Sequence, residues 1–137
     1  MKTSAPSRPD LWLTVLLTAL ASLSAGSAAE PPKPTLSFKN DVLPILSRHG
    51  CAGGSCHAKA EGQNGFALSV FAYNPQADYR EIVHNARGRR VFPAAPEQSL
   101  LILKATNRID HEGGEMIKPG SSAEKTLLDW IRQGMPW

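Results

Sequence analysis

Cysteine is nearly absent from this chain. Cys51 and Cys56 are the only two in 137 residues, so at most one disulfide is available and a multi-bridge framework is excluded. No basic run carries interleaved aromatics. The isoelectric point near 9.1 is therefore no evidence for nucleic acid or an anionic membrane as partner. Acidic residues are scattered, and no carboxylate pair or Ser-His-Asp set points to hydrolysis. There is no internal repeat and no low-complexity tract. The longest apolar run, Leu11 to Leu23 (LWLTVLLTALASL), is shorter than the ~20 residues a spanning helix needs.

That run has the makings of an export leader. Lys2 and Arg8 precede it, and Ser24-Ala25-Gly26-Ser27-Ala28-Ala29 follows it. Ser27 and Ala29 occupy the minus-three and minus-one positions of a cut before Glu30. The expected organisation is a signal peptide over 1–29, a Pro-rich linker over 30–37 (Glu30-Pro31-Pro32-Lys33-Pro34 is stiff and extended), and one domain over 38–137. Localisation is then periplasmic or secreted. No membrane span is expected in the mature chain unless the leader is kept as an anchor. Glu30 to Trp137 is enough for one small core, with a basic excess of about two charges.

Both cysteines fall in Arg48-His49-Gly50-Cys51-Ala52-Gly53-Gly54-Ser55-Cys56-His57. A Cys-x-x-Cys-His run reads as a c-type haem attachment site, and this is a longer variant with four residues between the thiols. Two thiols can form thioethers to the vinyls on one haem edge, and the adjacent imidazole then lies under the ring as proximal ligand. Two extra residues must bulge out, for which Gly53 and Gly54 are suited because glycine adopts positive φ freely. Two cysteines in an exported protein would otherwise pair; the adjacent His57 argues against it. Zinc is a further rival on paper, with Cys51, Cys56, His57 and His111 as ligands, although adjacent Cys56 and His57 are poorly spaced for one tetrahedral ion.

Periodicity predicts a mainly helical, all-α fold. Phe38, Val42, Ile45, Leu46 and His49 recur at helical spacing, with Asn40 as N-cap, Pro44 in the first turn and Gly50 as the stop. His49 lies on that stripe and reads as a packed core histidine. Phe66, Leu68 and Val70 alternate, consistent with a short strand or an extended wrap. Asp78 to His84 reads as a short helix with Asp78 and Glu81 as a capping pair. Pro96 opens another helix carrying Leu100, Leu101 and Leu103. The last helix starts at Ser121, with Glu124 completing a capping box. It presents Leu127, Leu128, Ile131 and Met135, is flanked by a core Trp130, and ends at Gly134. Arg87-Gly88-Arg89-Arg90 is a basic cluster that either is simply solvated or meets haem propionates.

This order of elements resembles small class I cytochromes c, and more closely the cytochrome c-like modules abundant in planctomycete secreted proteins. The resemblance is carried by Phe38 with Asp41-Val42-Leu43-Pro44-Ile45-Leu46, by Cys51 to His57, and by Gly62-Gln63-Asn64-Gly65-Phe66. It continues through Arg89-Arg90, Pro93-Ala94-Ala95-Pro96-Glu97-Gln98-Ser99-Leu100-Leu101 and Leu128-Asp129-Trp130-Ile131-Arg132-Gln133-Gly134. It implies one haem c, held through Cys51 and Cys56 with His57 as proximal ligand, in a class I-like fold with long haem-wrapping loops. Class I cytochromes place a methionine before the last helix, which would be Met116. The planctomycete-type modules show a histidine followed by glycines there, which would be His111. Both remain candidates, with bis-histidine ligation giving the lower potential. The function implied is single-electron transfer to transient redox partner proteins, rather than catalysis. A haem-based gas sensor and a haem-free, disulfide-stapled interaction module are the alternatives.

Overall fold

The computed structural model describes Lys2 and residues 33–137; the expected leader, its cut and the first part of the linker lie outside the described residues. Residues 33–137 form one compact unit. It is mainly helical, and among the described residues the only β pairing is an isolated bridge between Gln63 and Phe66. Among the described residues four α-helices occur in order: α1 (Leu43–Arg48), α2 (Pro75–Val83), α3 (Leu100–Ala105) and α4 (Ser122–Arg132). Short 3-10 turns sit at Val70–Ala72, Asn85–Gly88 and Pro96–Gln98. None of the described helices is long and apolar enough to cross a membrane.

The helical segment that leads into α1 starts earlier than its sequence suggests, with a separate turn at Phe38–Val42. Ser37, not Asn40, is the cap: its hydroxyl accepts from the Asn40 N–H at 3.0 Å, and its own N–H donates to Asp41 Oδ2 at 2.7 Å. The first turn, Phe38–Val42, is a widened π-type turn in which the Leu43 N–H reaches the Phe38 carbonyl. Pro44 accounts for the widening. It has no N–H to give and its ring crowds the carbonyl four residues back, so a regular α register is unfavourable just ahead of it.

Residues 33–37, expected as linker, are docked on the last helix. Gln133 accepts from the Leu36 N–H at 2.8 Å and donates to the Pro34 carbonyl at 3.3 Å, and Lys33 pairs with Asp129 at 2.5 Å. The core gathers Phe38, Val42 and Leu46 with Ile82, Ile102, Ile117, Leu127, Trp130 and Ile131, all 1 % exposed or less. Trp130, expected as a core residue, is fully buried there, and its indole N–H donates to the Pro136 carbonyl at 2.8 Å. Phe38 meets Tyr79 edge-on at 5.2 Å.

Helix α2 corrects a second expectation. It begins at Pro75 under an Asn74 cap, whose side chain accepts from the Ala77 N–H at 3.1 Å. Asp78 is no cap. It is buried and takes both the N–H (2.6 Å) and the hydroxyl (2.7 Å) of Ser69. The helix expected from Pro96 is divided: a 3-10 turn ends at Gln98, Ser99 is extended, and α3 follows. Ser121 does cap α4, accepting from the Glu124 N–H at 3.3 Å, while Glu124 reaches back one residue further, to the Gly120 N–H. Glu124 also pairs with Arg108 at 2.6 Å.

Candidate functional site

The loop after α1 folds into a tight coil. The Gly53 N–H donates to Gly50 O, and the Cys56 and Ala58 N–H groups both donate to Gly53 O. The His57 N–H closes the loop on Cys51 O at 3.2 Å, leaving Gly54 and Ser55 exposed as the bulge. Gly53 and Gly54 do not supply the positive φ expected of them; Gly50 does, at 77°. Gly53 is needed for a different reason, since a Cβ there would lie 3.0 Å from the Gly50 carbonyl oxygen.

This coil forms one wall of a cavity of about 410 Å³, a size within the usual range of small-molecule sites. Cys51, Cys56 and His57 line it together with His111. Its apolar wall includes Leu46, Phe66, Leu68, Leu101 and Ala105. Arg89, Arg90 and Lys104 border it against a single carboxylate, Glu112, so its rim is cationic.

The two histidines face each other in a defined state. Their ring centres are 6.3 Å apart and their planes lie within 12° of parallel. His57 Nδ1 is 3.0 Å from the Phe66 carbonyl, and His111 Nδ1 is 2.8 Å from the Gly114 carbonyl. A carbonyl only accepts, so Nδ1 is the donor in each contact, and whenever the ring is neutral its lone pair is on Nε2. Burial holds His57 below the ordinary histidine range, helped by the nearby His111, Arg90 and Lys59 and opposed by the Phe66 carbonyl. A metal ion between two imidazole nitrogens at about 2.0–2.1 Å each separates the ring centres by roughly 6 Å. The observed spacing fits that demand.

Both thiols are free. Burial, reinforced by the neighbouring Cys56, pushes the Cys51 thiol up to about 11, so it is almost wholly protonated near neutral pH. Among the described residues no three His, Cys, Asp or Glu side chains converge to hold a metal ion, and the Cys51, Cys56, His57 and His111 set is not gathered as a tetrahedral zinc site would require.

Met116 lies elsewhere. It is not part of the cavity wall, and its methyl tip packs against Gly50. Its carbonyl takes His49 Nδ1 at 2.8 Å, which ties the end of α1 to the loop before α4. His49 is thus a half-buried clasp between loops as well as a packing residue. Of the basic cluster, Arg89 and Arg90 reach the cavity and Arg87 does not.

Sequence reasoning did not find the two carbonyls that set the imidazole tautomers. One signal for the first was present in Gly62. Its φ is +63°, and a Cβ would fall 2.2 Å from the Phe66 carbonyl oxygen, so only glycine allows the turn that aims that oxygen at His57. No family model matches this chain, and no curated protein or solved structure matches it either.

Proposed function

We propose that this chain is an exported, monohaem c-type cytochrome domain that passes single electrons. The observation that carries the reading is the facing pair of Nδ1-protonated imidazoles, His57 and His111, across an apolar cavity that both free thiols border. The resemblance to planctomycete-type modules agrees with it. Haem would supply a one-electron iron couple in a site whose polarity and ligands the protein sets.

The residues have separate tasks. Cys51 and Cys56 would hold the haem covalently, each thiol adding across one vinyl group with its proton going to the other vinyl carbon, so that no oxidant would be needed. A thiol held near 11 is a poor partner in disulfide exchange, because the thiolate is the nucleophile. His57 and His111 would hold the iron through Nε2, each ring being oriented by its backbone carbonyl, as metal-bound imidazoles usually are. Arg89 and Lys104, exposed on the rim, suit the two propionates. Leu46, Phe66, Leu68 and Leu101 keep water from the macrocycle.

The test is a pyridine haemochrome spectrum after acid-acetone extraction, on protein matured with cytochrome c assembly machinery. Colour that stays with the polypeptide, and is lost in Cys51→Ala/Cys56→Ala, is the expected result. A colourless protein would refute the proposal and favour the disulfide module. The gas-sensor alternative has one observation in its favour, the position of His111 beside exposed Glu112 and Gly113. Carbon monoxide binding by the reduced wild-type protein at neutral pH would select it.

A further inference from the structure

Arg90 is the one cation of the cavity wall that is buried, at 5 % exposure. It forms no ion pair among the described residues. The nearest acidic neighbour on α2, Glu81, has both carboxylate oxygens engaged by the Asn85 amide. The guanidinium is instead satisfied by backbone: it donates to Glu81 O at 2.8 Å, to Asn85 O at 3.4 Å and to Gly65 O at 2.7 Å. It also sits 4.5 Å from the centre of the Phe66 ring. Phe66 in turn packs on the His57 ring at 4.4 Å between centres, and its carbonyl is the acceptor for His57 Nδ1.

Three carbonyl bonds alone would describe a loop latch. Two features go further. Arg90 grips Phe66 on both sides of its function, through the carbonyl of the preceding Gly65 and through the ring. And a buried charge without an ion-pair partner costs free energy: burial is the largest influence on Arg90, the Glu81 charge supports it from beyond ion-pair distance, and Arg89 opposes it.

We propose that Arg90 is the positioning residue of the proximal imidazole: it fixes the Phe66 carbonyl that orients His57, and its unpaired charge raises the reduction potential of the bound centre. The inference rests on the cytochrome reading. The sign follows from Coulomb's law. Oxidation adds a positive charge to the centre, and a fixed cation nearby disfavours that state. The contacts through Phe66 keep the guanidinium within about 9 Å of the imidazole centre, hence within about 12 Å of a metal that its Nε2 would hold; at an effective dielectric of about 20, a unit charge at about 12 Å shifts an equilibrium roughly tenfold.

The experiment is a spectroscopic redox titration of the haem-loaded full chain as wild type, Arg90→Gln, Arg90→Lys and Arg87→Gln. In Arg90→Gln the oxidised-to-reduced ratio at fixed ambient potential should rise about tenfold, a fall of about 59 mV for one electron. Arg90→Lys keeps the charge and loses the fork, and its ratio should move less than about threefold. Arg87→Gln removes an exposed charge off the cavity and should leave the ratio within about twofold, because solvent screens it. Equal shifts in the Lys and Gln variants would make Arg90 a latch only, and unchanged potentials would dismiss it altogether. Should Arg90→Gln fail to fold, Phe66→Leu decides: it keeps the charge but lets water reach it, so the potential should fall by a smaller factor, and an unchanged or higher value overturns the inference. Covalent haem in the wild type with any of these negative results sinks this inference alone. Its absence there sinks the cytochrome reading as well.

Discussion

Replacing Asp78 with alanine tests whether the segment that carries Phe66 is anchored as described. Asp78 is 1 % exposed and spends both oxygens on Ser69, at 2.6 and 2.7 Å. The Ser69 hydroxyl also accepts from the Asn74 N–H at 2.8 Å, so the three residues form a short closed network. A hydrogen bond to a charged group contributes about 1.5–3 kcal/mol, and the loss is greatest where the orphaned partner cannot reach water. Ser69 is half-buried and can rehydrate in part, which brings the total for both bonds to about 3 kcal/mol. In a domain of this size that corresponds to a fall in Tm of roughly 15 °C. Asp78→Asn keeps an acceptor for the Ser69 N–H and gives up only the charge and one bond, so about 1 kcal/mol is expected. Guanidinium denaturation followed by far-UV circular dichroism measures both, with an unchanged m-value marking a true stability change. A loss under about 1 kcal/mol for alanine, or equal losses for alanine and asparagine, would show that the contact does not hold the segment.

The axial assignment separates cleanly in a pair of variants. His111→Ala should open the sixth position, giving a high-spin visible spectrum and carbon monoxide binding, while Met116→Leu should leave the low-spin spectrum intact; the reverse outcome would transfer the ligand role to Met116. In the haem-free chain, Cys51 alkylation read by site-resolved mass spectrometry should rise about tenfold per pH unit and level off only near pH 11, and a plateau by pH 9 would contradict its burial. Because the folded state holds that proton more tightly than an unfolded thiol near 8.5, the stability gained is complete below that value and is lost as pH climbs toward 11. Gly62→Ala must move the Phe66 carbonyl, against which a Cβ would stand at 2.2 Å; we expect the His57 orientation and haem loading to drop several-fold by haemochrome yield, whereas loading at the wild-type level would show that the turn relaxes freely.

The helical character of the chain was readable because its apolar stripes are local. Leu127 and Ile131 announce α4 within one segment, and Ser121 with Glu124 marks its start. Boundaries were less readable where a residue's partner is distant in sequence. Asp78 has the look of a cap beside Glu81, yet its role is set by Ser69, nine positions away. Ser37 outcompetes Asn40 as cap because Asp41 supports it from within the same turn. At the site, the residue types at 51, 56 and 57 carry their chemistry in their spacing. The choice between His111 and Met116 depends on which loop atoms aim at the cavity, and no periodicity encodes that. Arg90 illustrates the limit well: in sequence it is one of three arginines within residues 87–90, and only tertiary packing gives it an aromatic face and three carbonyls in place of water.

The closure of the core by the end of the chain has a bearing on timing. The Phe38 N–H bonds the Pro136 carbonyl, which also receives the Trp130 indole, and the Tyr79 hydroxyl reaches the Met135 carbonyl. Phe38 thus waits for partners made almost a hundred residues later. At about 5–20 residues per second of synthesis, the coil bearing Cys51, Cys56 and His57 precedes those last partners by roughly four to sixteen seconds. During that interval its thiols are not yet walled in by α3 and the His111 loop. Contacts made by Met135 and Pro136 therefore come last, after every residue of the cavity wall has been made.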